Sequence, residues 1–208
     1  NESGDLGVGD AIVVYGNLTI KGEGTVQGNT RAVWARGDYG AKVRIEGGHY
    51  IGSVISACEV IYASGNGKID IYGGTFEAEN ADTESFAEDQ YAVLNLHSNG
   101  ANGCDIKVYG GSFYKFNPAD NVSENPRHNF CAEGYSVSED GDWFIVAASP
   151  YDAIVRNPAE LIDALNDASI NSIGLYAGTY DLGENIFYLN SSEKQIESII
   201  PTEKAIIT

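Results

Sequence analysis

Residues Ile69–Phe76 read IDIYGGTF, and residues Ile106–Phe113 read IKVYGGSF. A third copy, VRIEGGHY, stands at Val43–Tyr50, and a more degraded one, LTIKGEGTV, at Leu18–Val26. Each copy places apolar residues in alternation and then reaches glycine. Period-two alternation marks a strand with one buried face, and a glycine pair at its end marks a backbone corner that a side chain would obstruct. The first glycines, Gly22, Gly47, Gly73 and Gly110, are 25, 26 and 37 residues apart. Fixed periods in this range belong to stacked units that bury their apolar faces on one another.

Between the corners lies a second recurring run: AVWA at Ala32–Ala35, VIYA at Val60–Ala63 and YAVLNL at Tyr91–Leu96. These short apolar stretches, bounded by Gly, Asn and Asp, have the composition of buried strands. A repeat of this length made of short strands, with no room for a helix, predicts an all-β chain whose first 116 residues form about four coils of a right-handed parallel β-helix. The long third interval accommodates a polar insertion, Glu77–Gln90, at one corner.

Beyond the last corner the repeat stops. Asn117–Asn129 (NPADNVSENPRHN) has loop chemistry. Tyr135–Val137 and Trp143–Val146 flank Asp140-Gly141, a hairpin signal, and this hairpin is expected to cover the end of the stack, so that residues 117–148 form a loop and cap. Asn157-Pro158-Ala159-Glu160 ahead of Leu161, Ile162, Ala164 and Leu165 supplies an N-cap, a first-turn proline and helical spacing. Residues 149–208 are therefore expected to be a helix-capped start of a second β-helical unit, with strands at Ile173–Tyr180, Ile186–Leu189 and Ile196–Ile200. The chain opens at Asn1 without methionine or a signal peptide and is expected to be a fragment, a processed form or part of something longer.

Composition narrows the function. Thirty acidic against 12 basic residues give a formal charge of -18, which repels phosphate backbones and anionic membranes, so neither nucleic acid nor membrane insertion is expected. No apolar run approaches the length of a membrane span. Cys58, Cys104 and Cys131 are odd in number and lack a CxxC spacing, so a disulfide framework or zinc cluster is not expected. His49, His97 and His128 are scattered and suggest polar corner residues rather than a metal site.

Taken together, VRIEGGHY, IDIYGGTF and IKVYGGSFYKFNPADN, closed by NFCAEGYSVSEDGDWFIV, resemble the β-helical repeat modules of bacteriophage fibre and tail proteins and of Bacteroides-type surface proteins. NPAELIDALNDASINSIGLYAGTYDL looks like the helix-capped entry to a pectate-lyase-like right-handed β-helix. The resemblance implies a structural and adhesive module of a phage fibre or of a tail or head appendage. Such a module would assemble as a homo-oligomer, a trimer, beside other virion or surface proteins. It would lie on a virion or cell surface and contact host polysaccharide. A bacterial surface adhesin of the same fold is one alternative. Another is a polysaccharide lyase or hydrolase whose catalytic coils lie beyond Thr208. Pectate-lyase-like enzymes carry an acidic calcium-binding groove with an arginine or lysine, or paired aspartates, and no stretch here matches those motifs, so no catalytic residue is assigned.

Four aromatic residues are the candidate ligand-binding set. Tyr72 and Tyr109 occupy the same position in successive copies, just before Gly73 and Gly110, while Trp34 and Tyr62 lie on the intervening runs. Pointing outward, an in-register pair would form a ladder suited to stacking on sugar rings or on another copy; pointing inward, it would be core. No cofactor is expected. The one acidic cluster with calcium chemistry is Glu77, Glu79, Asp82, Glu84, Glu88 and Asp89, whose spacing matches no EF-hand pattern and which is expected to be a solvated charge run. Glu133, Asp140 and Asp142 could supply paired carboxylates for glycoside hydrolysis, but the latter two belong to a turn for backbone reasons. The sequons at Asn17, Asn121 and Asn190 carry no expected function in a bacterial or viral setting.

Overall fold

A computed structural model describes residues 9–52, 59–79, 93–122, 127–185, 194–199 and 204–208. The chain divides into two compact units, Asn1–Ala147 and Ala148–Thr208. In the first, twelve strands pass in fixed cyclic order through three sheets. Strands β1 (Ile12–Val14), β4 (Val33–Arg36), β7 (Ile61–Ser64) and β10 (Leu94–Leu96) make one sheet. A second contains β2 (Asn17–Ile20), β5 (Lys42–Ile45), β8 (Lys68–Ile71) and β11 (Asp105–Val108). The third contains β3 (Thr25–Gln27), β6 (His49–Gly52), β9 (Thr75–Ala78) and β12 (Gly111–Tyr114).

Every pairing recorded among these twelve strands is parallel. The alternation read from the sequence sets the register: Ile20, Ile45, Ile71 and Val108 align across four strands, and so do Leu18, Val43, Ile69 and Ile106. From Val43 and Ile45 onward these side chains are at most 3 % exposed, whereas their neighbours in the same strands point outward. A one-residue slip would exchange the two sets and is therefore strongly opposed.

The aromatic residues that follow each corner also stack inside. Tyr50, Phe76 and Phe113 are fully buried, with ring centroids 5.0 and 4.8 Å apart and interplanar angles of 9° and 11°. Burial pushes the Tyr50 hydroxyl up to about 12, and it donates to the Gly47 carbonyl at 2.8 Å. Phe116 and Phe130 continue the column at tilted angles and close it beyond the last corner.

The two glycines of a corner have different duties. A Cβ on Gly110 would lie 2.6 Å from the Tyr72 carbonyl oxygen of the preceding pass, while Gly111 has φ +117°, in the left-handed region. The first glycine permits the rungs to approach, and the second permits the bend. Gly110→Ala is expected to destabilise the protein by about 2–3 kcal/mol, because two backbones must part. Gly103→Ala, where φ is also positive but nothing lies within 4 Å, should cost only about 1 kcal/mol. Urea unfolding of the two variants measures the difference.

Asn117–Asn129, expected as a loop, contains a two-residue antiparallel ladder of β13 (Asn121–Val122) and β14 (Arg127–His128). Its asparagines still work as loop residues, the Asn117 and Asn121 side chains accepting from nearby backbone amides. Strands β15 (Tyr135–Asp140) and β16 (Trp143–Ala148) join through Gly141-Asp142, and β16 pairs antiparallel with β12, so the hairpin extends the third sheet past its last parallel strand.

In the second unit, β17 (Ala153–Val155), β18 (Ser172–Leu175) and β20 (Gln195–Ser198) form a parallel sheet, and β19 (Gly178–Tyr180) pairs parallel with β21 (Ala205–Ile207). Helix α1 spans Pro158–Asn166. Its cap is the one the sequence spells: Asn157 Oδ1 accepts from the Glu160 amide at 3.0 Å, and the Glu160 carboxylate accepts from the Arg156 amide at 2.7 Å. At the other end Lys194 Nζ donates to the carbonyls of Ala164 in the last turn and of Asp167 and Ile170 just beyond it, placing a cation at the negative end of the helix. Leu161, Ala164 and Leu165 pack with Val155, Ile173, Leu175 and Tyr180 in this unit's own core. The strand expected at Ile186–Leu189 lies outside the described residues.

Candidate functional site

The structure separates the four aromatic candidates into two pairs on different sheets. Trp34 and Tyr62 are neighbours on the sheet of β1, β4, β7 and β10, with centroids 5.8 Å apart. They belong to a packed polar cluster. The Arg31 guanidinium lies over both rings, at 5.2 and 4.5 Å from the centroids, and is held by Glu59 at 2.7 Å and Asp10 at 3.3 Å. Burial opposes the charge on Arg31, but Glu59 and then Asp10 outweigh it and leave the guanidinium above its ordinary range. Asn95 donates to the other Glu59 oxygen at 2.7 Å. The Tyr62 hydroxyl is within 2.7 Å of His97 Nδ1, and Tyr62 is only 7 % exposed. Little of this pair is presented to a ligand.

Tyr72 and Tyr109 do form the outward pair. They follow β8 and β11 directly, stack at 4.5 Å with an interplanar angle of 4°, and leave Tyr72 38 % exposed. Their faces are nevertheless occupied. The Arg44 guanidinium sits 3.6 Å from the Tyr72 centroid on the β5 side, and Tyr135 meets Tyr109 edge to face at 5.3 Å. A sugar ring stacks on a free aromatic face, so this pair offers edges and hydroxyls instead.

What lies beside the pair is the outer face of β2, β5, β8 and β11. Register aligns Asn17, Lys42, Lys68 and Asp105 in one row, and Thr19, Arg44, Asp70 and Lys107 in the next. One cleft of about 340 Å³ is lined by Lys42, Lys68, Asp70, Asp105, Lys107 and Tyr109, and a second of about 260 Å³ adjoins it at Asn17, Thr19, Lys42, Arg44 and Asp70. Asp70 sits between the two. Burial, then the nearby Asp105, raises its carboxyl above the ordinary range, against the pull of Lys107, Arg44 and Lys68. At the corner where the chain enters this sheet are two further exposed aromatics, Tyr15 at 49 % and Tyr39 at 67 %, whose rings meet at 5.2 Å and 72°. Sequence reasoning passed over them because they lie outside the repeated octet.

Glu77 Oε1 is 2.6 Å from His49 Nε2, and Glu79 accepts from Gln27 at 3.3 Å. Asp82, Glu84, Glu88, Asp89 and Tyr91 lie outside the described residues, as does Cys58. Among the described residues Cys104 and Cys131 form no disulfide, and the Cys104 thiol donates to the His97 carbonyl at 3.6 Å. His128 packs on Phe130, and burial lowers its pKa. Asp142 accepts from the Tyr114 hydroxyl at 3.3 Å, and Asp140 is exposed at the hairpin end. Among the described residues no group of three or more His, Cys, Asp or Glu could hold a metal ion, and no helix is long and apolar enough to cross a membrane. Comparison with known proteins finds no matching family model, no matching curated sequence and no matching solved structure.

Proposed function

We propose that the first unit is a right-handed parallel β-helix serving as a structural and adhesive module, a trimeric part of a phage fibre or appendage displayed outside the cell, and that it contacts host surface glycan. The cyclic order of parallel strands supports the coil, and right-handed crossovers are the strong rule for parallel strands joined within a sheet. The resemblance of the repeat and hairpin to fibre modules supports the setting. The observation that carries the binding role is the pair of adjoining open clefts on the outer face of β2, β5, β8 and β11. Their lining mixes cations, carboxylates and a tyrosine, which offers a polyhydroxyl ligand both hydrogen-bond donors and acceptors.

The test is binding of the full chain to a panel of neutral and acidic polysaccharides, followed by light scattering for the assembly state. Tyr109→Ala, which removes an edge and a hydroxyl from the larger cleft, is expected to weaken the best ligand by roughly fivefold, about 1 kcal/mol. Absence of binding to every polysaccharide would sink the adhesive role. New reducing ends or unsaturated uronates on incubation would replace it with an enzymatic one.

A further inference from the structure

This protein carries 30 acidic residues against 12 basic ones, yet the outer face of β2, β5, β8 and β11 reverses that balance. Of its eight outward positions, Lys42, Arg44, Lys68 and Lys107 are cationic and only Asp70 and Asp105 are acidic. All four cations are exposed. Among the described residues Lys42 and Lys107 have no carboxylate partner within 4.0 Å, and Lys68 reaches Asp105 only at that limit. Lys42 and Lys68 are hydrogen-bonded neighbours in the parallel register, which sets them one strand spacing apart, about 4.8 Å. Both side chains are exposed, and together with Lys107 they line the larger cleft, where three cations face two carboxylates, so an anionic group entering it meets a local surplus of positive charge.

We infer that this face binds a linear polysaccharide bearing uronic acid carboxylates, laid across the rungs so that Lys42 and Lys68 contact acidic groups. Lys107 stands on the outermost strand lining the larger cleft, and Tyr39 at the entry corner, 67 % exposed although its ring meets Tyr15, adds aromatic surface. The inference rests on the glycan-binding reading above and names the ligand class. Charge density decides between uronates and more heavily charged polymers. The surplus on this face is small, and the surrounding protein, at a formal charge of -18, repels a densely sulfated chain more than one with at most a single charge per sugar.

Affinity electrophoresis of the full chain in gels containing alginate, dextran or dextran sulfate tests the inference. Retardation is expected in alginate, much less in dextran and dextran sulfate, and it should fade as salt rises from roughly 0.05 to roughly 0.5 M. The Lys42→Glu/Lys68→Glu variant, at two exposed positions, is expected to bind alginate about tenfold more weakly or less, with an unchanged circular dichroism spectrum. Asp70→Asn should tighten binding by roughly threefold by removing a repulsive carboxylate. Equal retardation in alginate and dextran, or full alginate binding by the double-glutamate variant, overturns the uronate assignment and leaves the glycan role standing. No retardation of the parent protein in any gel overturns both. Salt-sensitive self-association that the double variant abolishes, without alginate binding, would mean that the face docks the acidic surface of a second copy, which also overturns the inference.

Discussion

Replacing Phe76 with alanine is expected to cost the protein about 3–5 kcal/mol, among the largest losses any single truncation in the first unit would produce. The ring is fully buried and lies between Tyr50 and Phe113, nearly parallel to both. Those two rings are carried by β6 and β12, which pair with β9 on either side. Strand spacing is fixed at about 4.8 Å by backbone hydrogen bonds, so the neighbours cannot close on the vacancy without breaking a ladder. Stacking with two partners is lost as well. In thermal unfolding the change should appear as a fall in midpoint of roughly 6–15 °C. Phe116→Ala provides the contrast. Phe116 is also buried but lies beyond the last parallel strand, between Phe113 and Phe130, tilted at 6.4 and 6.1 Å from them and outside the regular strands, where the surroundings can settle. A loss below about 1 kcal/mol for Phe76→Ala would mean that the column is not a closed core.

The second large effect is expected at Glu59. Glu59→Ala removes the buried carboxylate that receives the Arg31 guanidinium and the Asn95 amide, each at 2.7 Å. The Glu59 side chain is 6 % exposed, that of Arg31 20 %. Breaking a buried pair by deleting one partner costs about 3–5 kcal/mol, and the residual exposure of Arg31 together with its contact to Asp10 places the expected loss near 3 kcal/mol. Glu59→Gln keeps an acceptor for Asn95 and removes only the charge, so roughly half that loss is expected. High salt separates this pair from a surface one. Urea midpoints compared at low and high sodium chloride should show the Glu59→Ala deficit nearly unchanged, because ions do not reach the pair. The deficit of Lys21→Ala, which breaks the exposed contact to Glu46 at 2.7 Å, should be small and vanish with salt.

Much of the first unit's strand pattern could be read from the octets. The alternation in KVRI, KIDI and DIKV fixed which side chains face inward, and the glycine pairs fixed where the chain bends, since both signals are local. Helix α1 was legible for the same reason, its cap being written in four consecutive residues. The candidate site was less so. The repeat placed Tyr72 and Tyr109 at one position of successive copies but left open whether they face out or in, and the covering of their faces by Arg44 and Tyr135 depends on residues 26 or more away in sequence. Lys42, Lys68 and Lys107 each look like an ordinary solvated lysine in its own strand. Only the register, which skips the insertion between Gly73 and Gly110, brings them to one face. The Arg31, Glu59 and Asn95 cluster was invisible because each member comes from a different pass and none stands in a motif.

The alignment of each strand with its counterpart one pass away has a bearing on how such a chain can lengthen or shorten. A segment running from one corner to the next begins and ends on the same sheet in the same register, so duplicating or deleting it whole would leave the flanking ladders able to rejoin, whereas a gain of a few residues within a strand would not. Each added pass that repeats Gly47–Tyr72 would bring one more Lys68-type ammonium to the same row. The three sheets and the cationic row would then lengthen together, through copying alone and without any new contact having to be invented.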